Sequence, residues 1–309
     1  MSSPPYAPLT PTGASQFDYS GHAWEHILVR LDADGLLLIT LNRPSQHNAF
    51  TGQMKDSLVH AFLLAHHDDR VKCVVLTGAG KSFCAGADLS TSGFGVDPTR
   101  PLEEHRDGGG QVVLAMLNCA KLIIAAIQGN AVGIGLTMCF AADLRIVAEG
   151  AKLGTPFVKR GIPCDALSSY LLPRLVGWSN ASKLLLTGDL VTPSSPWLAS
   201  LWHSILPPPE VLPTSLSLAT HLSQSNSLLS TALIKSQLHR PGSAPGGQLT
   251  RGLEEVHERD SYWLAWCARE GDAREGVESF MQKRKARFGQ GGLERLRRGV
   301  EWPWWGAKL

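Results

Sequence analysis

Two short segments rich in glycine and alanine have the composition best suited to binding a negatively charged oxygen. The first is Phe83-Cys84-Ala85-Gly86-Ala87-Asp88-Leu89, and the second is Gly129-Asn130-Ala131-Val132-Gly133-Ile134-Gly135. Each follows a predicted buried strand, and the second opens a helix. Small side chains let a ligand approach the backbone, and the N–H groups of a turn or a helix N-terminus can point at it. Two such turns could hold one oxyanion together, although two tight structural turns would look the same.

Spacing and composition exclude several other kinds of site. A phosphate loop at Gly80-Lys81-Ser82 would need a glycine where Val75 stands. The six cysteines are scattered without a CxxC pair and the 11 histidines form no HExxH, so we expect neither a disulfide framework nor a metal site. A net charge of +2 gives no reason to expect nucleic acid as a partner. No apolar run reaches the roughly 20 residues of a membrane span.

Strands and helices alternate in the first half of the chain, which predicts a layered α/β core. A hairpin is predicted at residues 26–41, a helix with Thr51 as N-cap follows it, and buried strands are predicted at 71–77 and 122–128. A helix is expected at 112–117 and a short strand at 144–148. The stretch 92–110 is a loop by composition. Beyond Ser168 the pattern is mostly helical, which predicts a helical C-terminal part.

Several ordered motifs resemble the crotonase superfamily of enoyl-CoA hydratases and isomerases. They span about residues 24 to 288 and comprise Asn42-Arg43-Pro44 with Asn48-Ala49, residues 74–89, residues 125–135, Gly154-Thr155-Pro156-Phe157, residues 172–177, Leu186-Thr187-Gly188 and Arg274-Glu275-Gly276 with Phe280 and Lys283-Arg284. The resemblance implies an α/β fold, the crotonase (ClpP-like) spiral of ββα units with a helical C-terminal part. The corresponding division is a flexible tail at 1–20, a spiral core at 21–205, a helical part at 206–288 and a second tail at 289–309.

The same resemblance implies an acyl-CoA thioester as substrate and assembly as a homotrimer or homohexamer. CoA is part of the substrate, so no separate cofactor is implied. The thioester oxygen would lie between the backbone N–H groups of Ala87 and Ile134, which stabilise the enolate formed when a proton leaves the α-carbon. By motif position, Ala85, Lys283 and Arg284 would contact CoA. A solvated helix face is an equally good interpretation of the two basic residues.

Three positions distinguish the branches of the superfamily. Hydratases use two glutamates to position and activate water, and Thr137 and Phe157 stand in their places. The isomerase branch, which this chain resembles more closely, has a single catalytic carboxylate, here Asp165. One carboxylate suffices for a 1,3-proton shift, so we expect an enoyl-CoA isomerase. A hydratase or dehydratase of a specialised acyl-CoA and a non-catalytic CoA-binding subunit remain alternatives, and Asp165 could instead be a helix N-cap.

The sequence ends in Ala307-Lys308-Leu309, which resembles the Ser-Lys-Leu peroxisomal address. On an enzyme of this type the tripeptide predicts a peroxisomal location and an import receptor as partner.

Overall fold

A computed structural model describes residues 16–92, 106–239 and 271–289. These residues form two β-sheets with helices packed around them. The strands are β1 (Ile27–Leu31), β2 (Leu36–Leu41), β3 (Cys73–Gly78), β4 (Ser82–Cys84), β5 (Leu122–Ile127), β6 (Asn130–Val132), β7 (Leu144–Ala148), β8 (Leu153–Gly154) and β9 (Ser204–Leu206). The helices are α1 (Gly52–His67), α2 (Leu89–Ser92), α3 (Gly108–Asn118), α4 (Ile134–Thr137), α5 (Ser168–Val176), α6 (Trp178–Thr187), α7 (Pro208–Ser225), α8 (Leu228–His239) and α9 (Gly271–Met281). Four 3-10 helices cover Pro44–Gln46, Met138–Ala141, Val158–Arg160 and Ala199–Leu201.

The chain alternates between the two sheets as it advances. The large sheet has the order β1-β2-β3-β5-β7-β9, and only its β1–β2 pair is antiparallel. The small sheet, β4-β6-β8, is parallel. Each long strand β3, β5 and β7 is therefore followed by a short strand of the small sheet before the next crossover. This repeating arrangement is the predicted crotonase spiral of ββα units.

The core forms where the large sheet packs against α1 and α7, and α3 packs in turn on α1. Every residue of β3 is buried, as expected for a parallel strand covered on both faces. The predicted helix is α1, in which the Thr51 side chain accepts a hydrogen bond from the Met54 amide and so caps the N-terminus. Its residues Leu58 and Phe62 are fully buried. Replacing such a phenylalanine with alanine typically costs roughly 3–5 kcal/mol.

The helical C-terminal part is joined to the core by a buried ion pair. Lys235 of α8 is 4% exposed, and its Nζ lies 2.9 Å from Oδ2 of Asp143, just before β7. The same Nζ donates to the Lys121 carbonyl, and the Ile123 amide donates to Asp143. Burial would raise the pKa of Asp143, but Lys235, His239 and the Ile123 amide outweigh it and hold that pKa below its ordinary value.

The ordered core begins before the predicted boundary at residue 20. Tyr19 is 2% exposed, and its hydroxyl donates to Asp68 at 3.1 Å. Trp24 donates from its indole N–H to the Tyr19 carbonyl. The prediction of a flexible tail is therefore wrong for residues 16–20, because the ring of Tyr19 packs in the hydrophobic core. The candidate address Ala307-Lys308-Leu309 lies outside the described residues.

Within the described segments, no helix is long and apolar enough to cross a membrane. Over the same residues, no group of three or more histidine, cysteine, aspartate or glutamate side chains could hold a metal ion.

Candidate active site

The two small-residue turns lie side by side. They follow β4 and β6, which are neighbours in the small sheet, with Ser82 opposite Asn130 and Cys84 opposite Ala131. Gly86 and Gly133 both have positive φ, +106° and +53°. A Cβ atom on Gly86 would lie 3.1 Å from the Val132 carbonyl oxygen, and one on Gly133 would lie 3.9 Å from the Gly86 Cα. The turns therefore touch through backbone that only glycine accommodates without strain.

Hydrogen bonds hold the first turn in place. The buried Asn48 side chain donates to the carbonyls of Ala79 and Ser82. Arg43 donates to Oδ2 of Asp88 at 2.8 Å. The motif residues of the 42–49 loop therefore fix the segment that carries Ala87.

The amide of Ala87 points away from its strand partner. Phe50 forms a parallel bridge to Ala87, in which the Phe50 amide donates to Gly86 and the Asp88 amide donates to Phe50, each at 2.8 Å. In a parallel ladder the residue between two such bonds directs its own N–H to the opposite side. Among the described residues, the Ala87 N–H has no acceptor. It is a free donor on an exposed turn.

The amide of Ile134 is the first of helix α4. The opening N–H groups of a helix have no partner within it, and the N-cap, Gly133, has no side chain to supply one. The start of α4 is pressed against the end of β4, because a Cβ atom on Gly135 would collide with the Cys84 carbonyl. The structure thus brings the Ala87 and Ile134 turns together at one end of the small sheet.

Asp165 does not cap a helix. Helix α5 begins at Ser168, and its N-cap is Leu167, which makes no side-chain cap bond. The Ser168 amide and hydroxyl donate instead to the Asp165 carbonyl, at 2.8 and 2.6 Å. Ala166 and Leu167 have φ of 48° and 56°, so two non-glycine residues in succession adopt the left-handed conformation. This strained turn leaves the Asp165 carboxylate directed elsewhere.

The carboxylate of Asp165 is directed at α4. Its Oδ1 accepts a 2.9 Å hydrogen bond from the hydroxyl of Thr137, which is fully buried. The pKa of Asp165 is raised from an ordinary value of 3.8 to about 6. Burial is the main cause and the charge of Asp107 adds to it, while the hydrogen bond from Thr137 acts in the opposite direction. A carboxylate with a pKa in this range can both take up and release a proton near neutrality.

Asp107 and the start of α3 close the site on another side. Oδ1 of Asp107 accepts from the Gly110 amide at 2.6 Å, which caps α3, and from the Ala166 amide at 3.3 Å. A Cβ atom on Gly109 would collide with the Ile134 side chain. The predicted loop at 92–110 is therefore wrong at its end, because α3 begins at Gly108. Glycine has a low helix propensity, so the three glycines at 108–110 favoured a loop prediction. Asp107, a preferred N-cap residue, is the sequence feature that could have indicated the helix start.

Phe157 forms an apolar wall. It is buried, and its ring lies 3.9 Å from where a Cβ atom on Gly133 would stand. The residue in the place of the second hydratase glutamate is thus an aromatic ring beside the paired turns.

The predicted CoA contacts are dispersed. Ala85 is exposed next to the first turn, and its amide donates to the His47 carbonyl at 3.0 Å. Lys283 and Arg284 are exposed residues that follow α9, and Arg284 makes two hydrogen bonds to Glu275, at 2.6 and 2.8 Å. The structure thus places the two basic residues on the helical C-terminal part. Their contact with CoA stays a prediction.

Comparison with known proteins identifies the family. The family model for enoyl-CoA hydratase/isomerase matches residues 32–291. The chain belongs to the enoyl-CoA hydratase/isomerase family. Enoyl-CoA hydratase ACTT3 of Alternaria alternata is 40% identical over 292 residues, which cover 91% of this chain and 95% of that relative. The 1,2-epoxyphenylacetyl-CoA isomerase of Escherichia coli is 33% identical over 261 residues, covering 82% and 95% of the two chains.

Solved structures agree with this assignment. The structure of DspI from Pseudomonas aeruginosa has a TM-score of 0.76 at 27% identity and covers 89% of this chain and all of that one. Enoyl-CoA hydratase from Bacillus anthracis has a TM-score of 0.74 at 25% identity and covers 85% and 99%. The protein is therefore an acyl-CoA enzyme of the enoyl-CoA hydratase/isomerase family.

Proposed function

We propose that this enoyl-CoA hydratase/isomerase family member moves the double bond of an enoyl-CoA, with Asp165 as the general base. The observation that carries the proposal is that Asp165 is the carboxylate hydrogen-bonded to Thr137 of α4, the helix whose first amide is free. The two positions at which hydratases place glutamates hold this threonine and Phe157.

The reaction needs one proton carrier and one site for negative charge. The amides of Ala87 and Ile134 bind the thioester carbonyl oxygen. Asp165 removes a proton from C2 of a 3-enoyl-CoA, and the electron pair left on C2 delocalises onto that oxygen as an enolate. Protonated Asp165 then delivers a proton to C4, which gives the 2-enoyl-CoA, and exchange of the carboxyl proton with solvent before its return would label C2. No atom is gained or lost, and the amides stabilise the charge where it develops.

The buried ring of Phe157 also favours proton transfer over hydration. A hydratase has to hold and activate a water molecule at C3. An apolar ring beside Gly133 offers that water no hydrogen bond, whereas a proton shift within the substrate needs no water.

Hydration of a specialised enoyl-CoA is the second candidate. It is favoured by the names of the Alternaria alternata relatives, which are enoyl-CoA hydratases at 39–40% identity. In that case Asp165 would have to activate water without a second carboxylate.

Product analysis decides between these functions. The purified protein is incubated separately with a 3-enoyl-CoA and a 2-enoyl-CoA, and the products are identified by mass and double-bond position. Isomerisation leaves the mass unchanged and moves the double bond, whereas hydration adds the mass of one water. Binding of both thioesters without turnover would establish the third alternative, a non-catalytic CoA-binding subunit.

Assembly and location are further proposals. We propose a homotrimer or homohexamer, which is supported by large apolar side chains left exposed on α6: Trp178 is 78% and Leu186 74% exposed in the single chain. Light scattering of the purified protein tests the oligomeric state.

The peroxisomal location predicted from Ala307-Lys308-Leu309 is tested by deleting these residues from a fusion with an N-terminal fluorescent protein, which should then stay in the cytosol.

A further inference from the structure

We propose that Asp107 is a positioning residue for Asp165, a role that rests on the proposed function of Asp165 as the base. Oδ1 of Asp107 accepts hydrogen bonds from Gly110 of α3 and from Ala166, the residue after Asp165. One oxygen atom therefore ties the start of a helix to the turn that carries the base.

The turn needs such a tie because it is strained. Ala166 and Leu167 both have positive φ, a conformation that is unfavourable for non-glycine residues, so the turn persists only if its surroundings hold it. Ser168 holds its far side by donating twice to the Asp165 carbonyl. The bond from the Ala166 amide to Asp107 holds its near side.

The same helix start also contacts the second amide-bearing turn. Gly109 packs closely against the side chains of Ile134 and Ala166. A Cβ atom added to Gly109 would lie 3.1 Å from the Ala166 Cβ and would collide with the Ile134 side chain. By capping α3, Asp107 thus fixes the position of Gly109, which contacts both Ala166, next to the base, and Ile134, which carries one amide donor.

The charge of Asp107 acts on Asp165 as well. The groups that face the Asp165 carboxylate are Thr137 from α4, which is not titratable, and Asp107 from the start of α3, while Cys164 is its exposed neighbour in the chain. Asp107 raises the pKa of Asp165, in the same direction as burial. Because the Asp107 residue is exposed on its outer side, solvent screens this effect.

Three substitutions separate positioning from helix capping. The amide side chain introduced by Asp107→Asn keeps the acceptor oxygen without the charge. The hydroxyl introduced by Asp107→Ser still caps a helix but is one bond shorter, so it cannot also reach the Ala166 amide. The methyl group introduced by Asp107→Ala offers no acceptor. Thermal unfolding of each variant shows whether α3 is still capped.

Turnover, KM and pH profile are measured for each variant. We expect Asp107→Asn to keep turnover at its plateau and to shift the acidic limb of kcat to lower pH by roughly a few tenths of a unit. We expect Asp107→Ser and Asp107→Ala to lose roughly 10- to 100-fold in kcat with KM nearly unchanged, since a misplacement of about 1 Å can cost a hundredfold. Full kcat in Asp107→Ser would overturn the proposal, because capping alone would then suffice. A rise in KM that accounts for the whole loss in Asp107→Ala would also overturn it.

Two further measurements keep this proposal distinct from the proposed function. Carboxyl NMR titration follows protonation of Asp165 whether or not it is the base. Asp107→Asn should lower the midpoint of the Asp165 titration. An unchanged midpoint would overturn the electrostatic coupling between the two aspartates. In an Asp165→Asn background the Asp107 substitutions should have no further effect on turnover. Full activity of Asp165→Asn itself would reject the proposed base, while a moved midpoint would still support the contact between the two aspartates.

Discussion

The Thr137 hydroxyl donates a 2.9 Å hydrogen bond to Oδ1 of Asp165, and this bond joins two parts of the chain that are 28 residues apart. Thr137 lies at the end of the short helix whose first residue, Ile134, presents a free amide. The proposed base is therefore tethered to the element that supplies half of the proposed anion site.

Substitution of Asp165 by asparagine should abolish proton transfer. Asparagine keeps the shape and can still accept from Thr137, but it has no basic lone pair. We expect exchange of the C2 proton with deuterated solvent to fall by at least 10²-fold, with affinity for CoA thioesters retained. Asp165→Glu is the matched control, because it keeps a carboxylate on a side chain that is one methylene longer. Unchanged exchange in Asp165→Asn would remove Asp165 as the base.

The same substitution should stabilise the protein near neutral pH. The pKa of Asp165 is raised from 3.8 to about 6, so its carboxyl ionises at lower pH in the unfolded chain than in the folded one. The contribution of Asp165 to stability is thus most favourable below about pH 4 and falls as the pH rises through about 6, by on the order of 2–3 kcal/mol. Thermal unfolding of Asp165→Asn should show a higher Tm than wild type at pH 7.5 and a similar Tm at pH 4. A lower Tm at pH 7.5 would mean that the carboxylate stabilises the fold.

Removal of the Thr137 hydroxyl should make Asp165 harder to ionise. In Thr137→Val the hydrogen bond that lowers the pKa of Asp165 is lost, so the acidic limb of the kcat profile should move to higher pH. A hydrogen bond to a charged group is worth about 1.5 kcal/mol, or roughly one pKa unit, which corresponds to roughly a sixfold loss of turnover at pH 6. Thr137→Ser keeps the hydroxyl and should keep the profile. A valine variant with the wild-type profile would show that this bond does not act on the base.

Removal of the Ala87 amide tests the anion site directly. Proline at this position lacks the N–H, yet the neighbouring bridge to Phe50 uses only the Gly86 carbonyl and the Asp88 amide. We expect Ala87→Pro to lose about 10² or more in kcat, the usual effect of one such donor. Ala87→Ser keeps the backbone N–H and changes only an exposed side chain, so its turnover should stay within a few-fold of wild type. Near-normal turnover of a folded Ala87→Pro protein would place the thioester oxygen elsewhere.

The buried pair of Lys235 and Asp143 should matter for stability. Lys235→Ala leaves the Asp143 carboxylate without its main counter-charge, and breaking such a pair costs roughly 3 kcal/mol. Urea unfolding measures this loss. The double variant Lys235→Met/Asp143→Asn, which removes both charges, should recover most of it. A loss below about 0.5 kcal/mol in Lys235→Ala would show that α8 is held by apolar contacts alone.

Periodicity and motif order predicted the long elements of the fold well. The hairpin, helix α1 with its Thr51 cap, and the strands β3, β5 and β7 all lie where they were expected, because each buries a long apolar run. The short strands β4 and β6 were not predicted, since three residues carry no period and their composition is that of a turn. Strand β9 was missed because it too has only three residues and lies in a stretch that otherwise has a helical pattern.

The site could be predicted only in part. The proximity of the two glycine-rich turns could be expected from motif position, whereas the role of their amides as anion donors stays a prediction. The tie between Asp107 and Ala166 spans 59 residues and begins beside a run of glycines, so no local pattern predicts it. The N-cap alternative for Asp165 could be rejected only once the left-handed residues 166 and 167 showed that α5 begins later.

The pairing of β4 with β6 has a consequence for how such a protein can evolve. Ala87 and Ile134 project from the ends of two hydrogen-bonded strands, whose separation of about 4.8 Å is a property of polypeptide backbone. Mutation of side chains cannot easily widen or narrow that gap. Positions 157 and 165 lie on other segments, and position 137 is three residues beyond Ile134 in α4, so their side chains can change without moving either backbone amide. If the two amides bind the thioester oxygen as proposed, new reactions can arise by changing which group transfers the proton, while the backbone that stabilises the negative charge keeps its geometry.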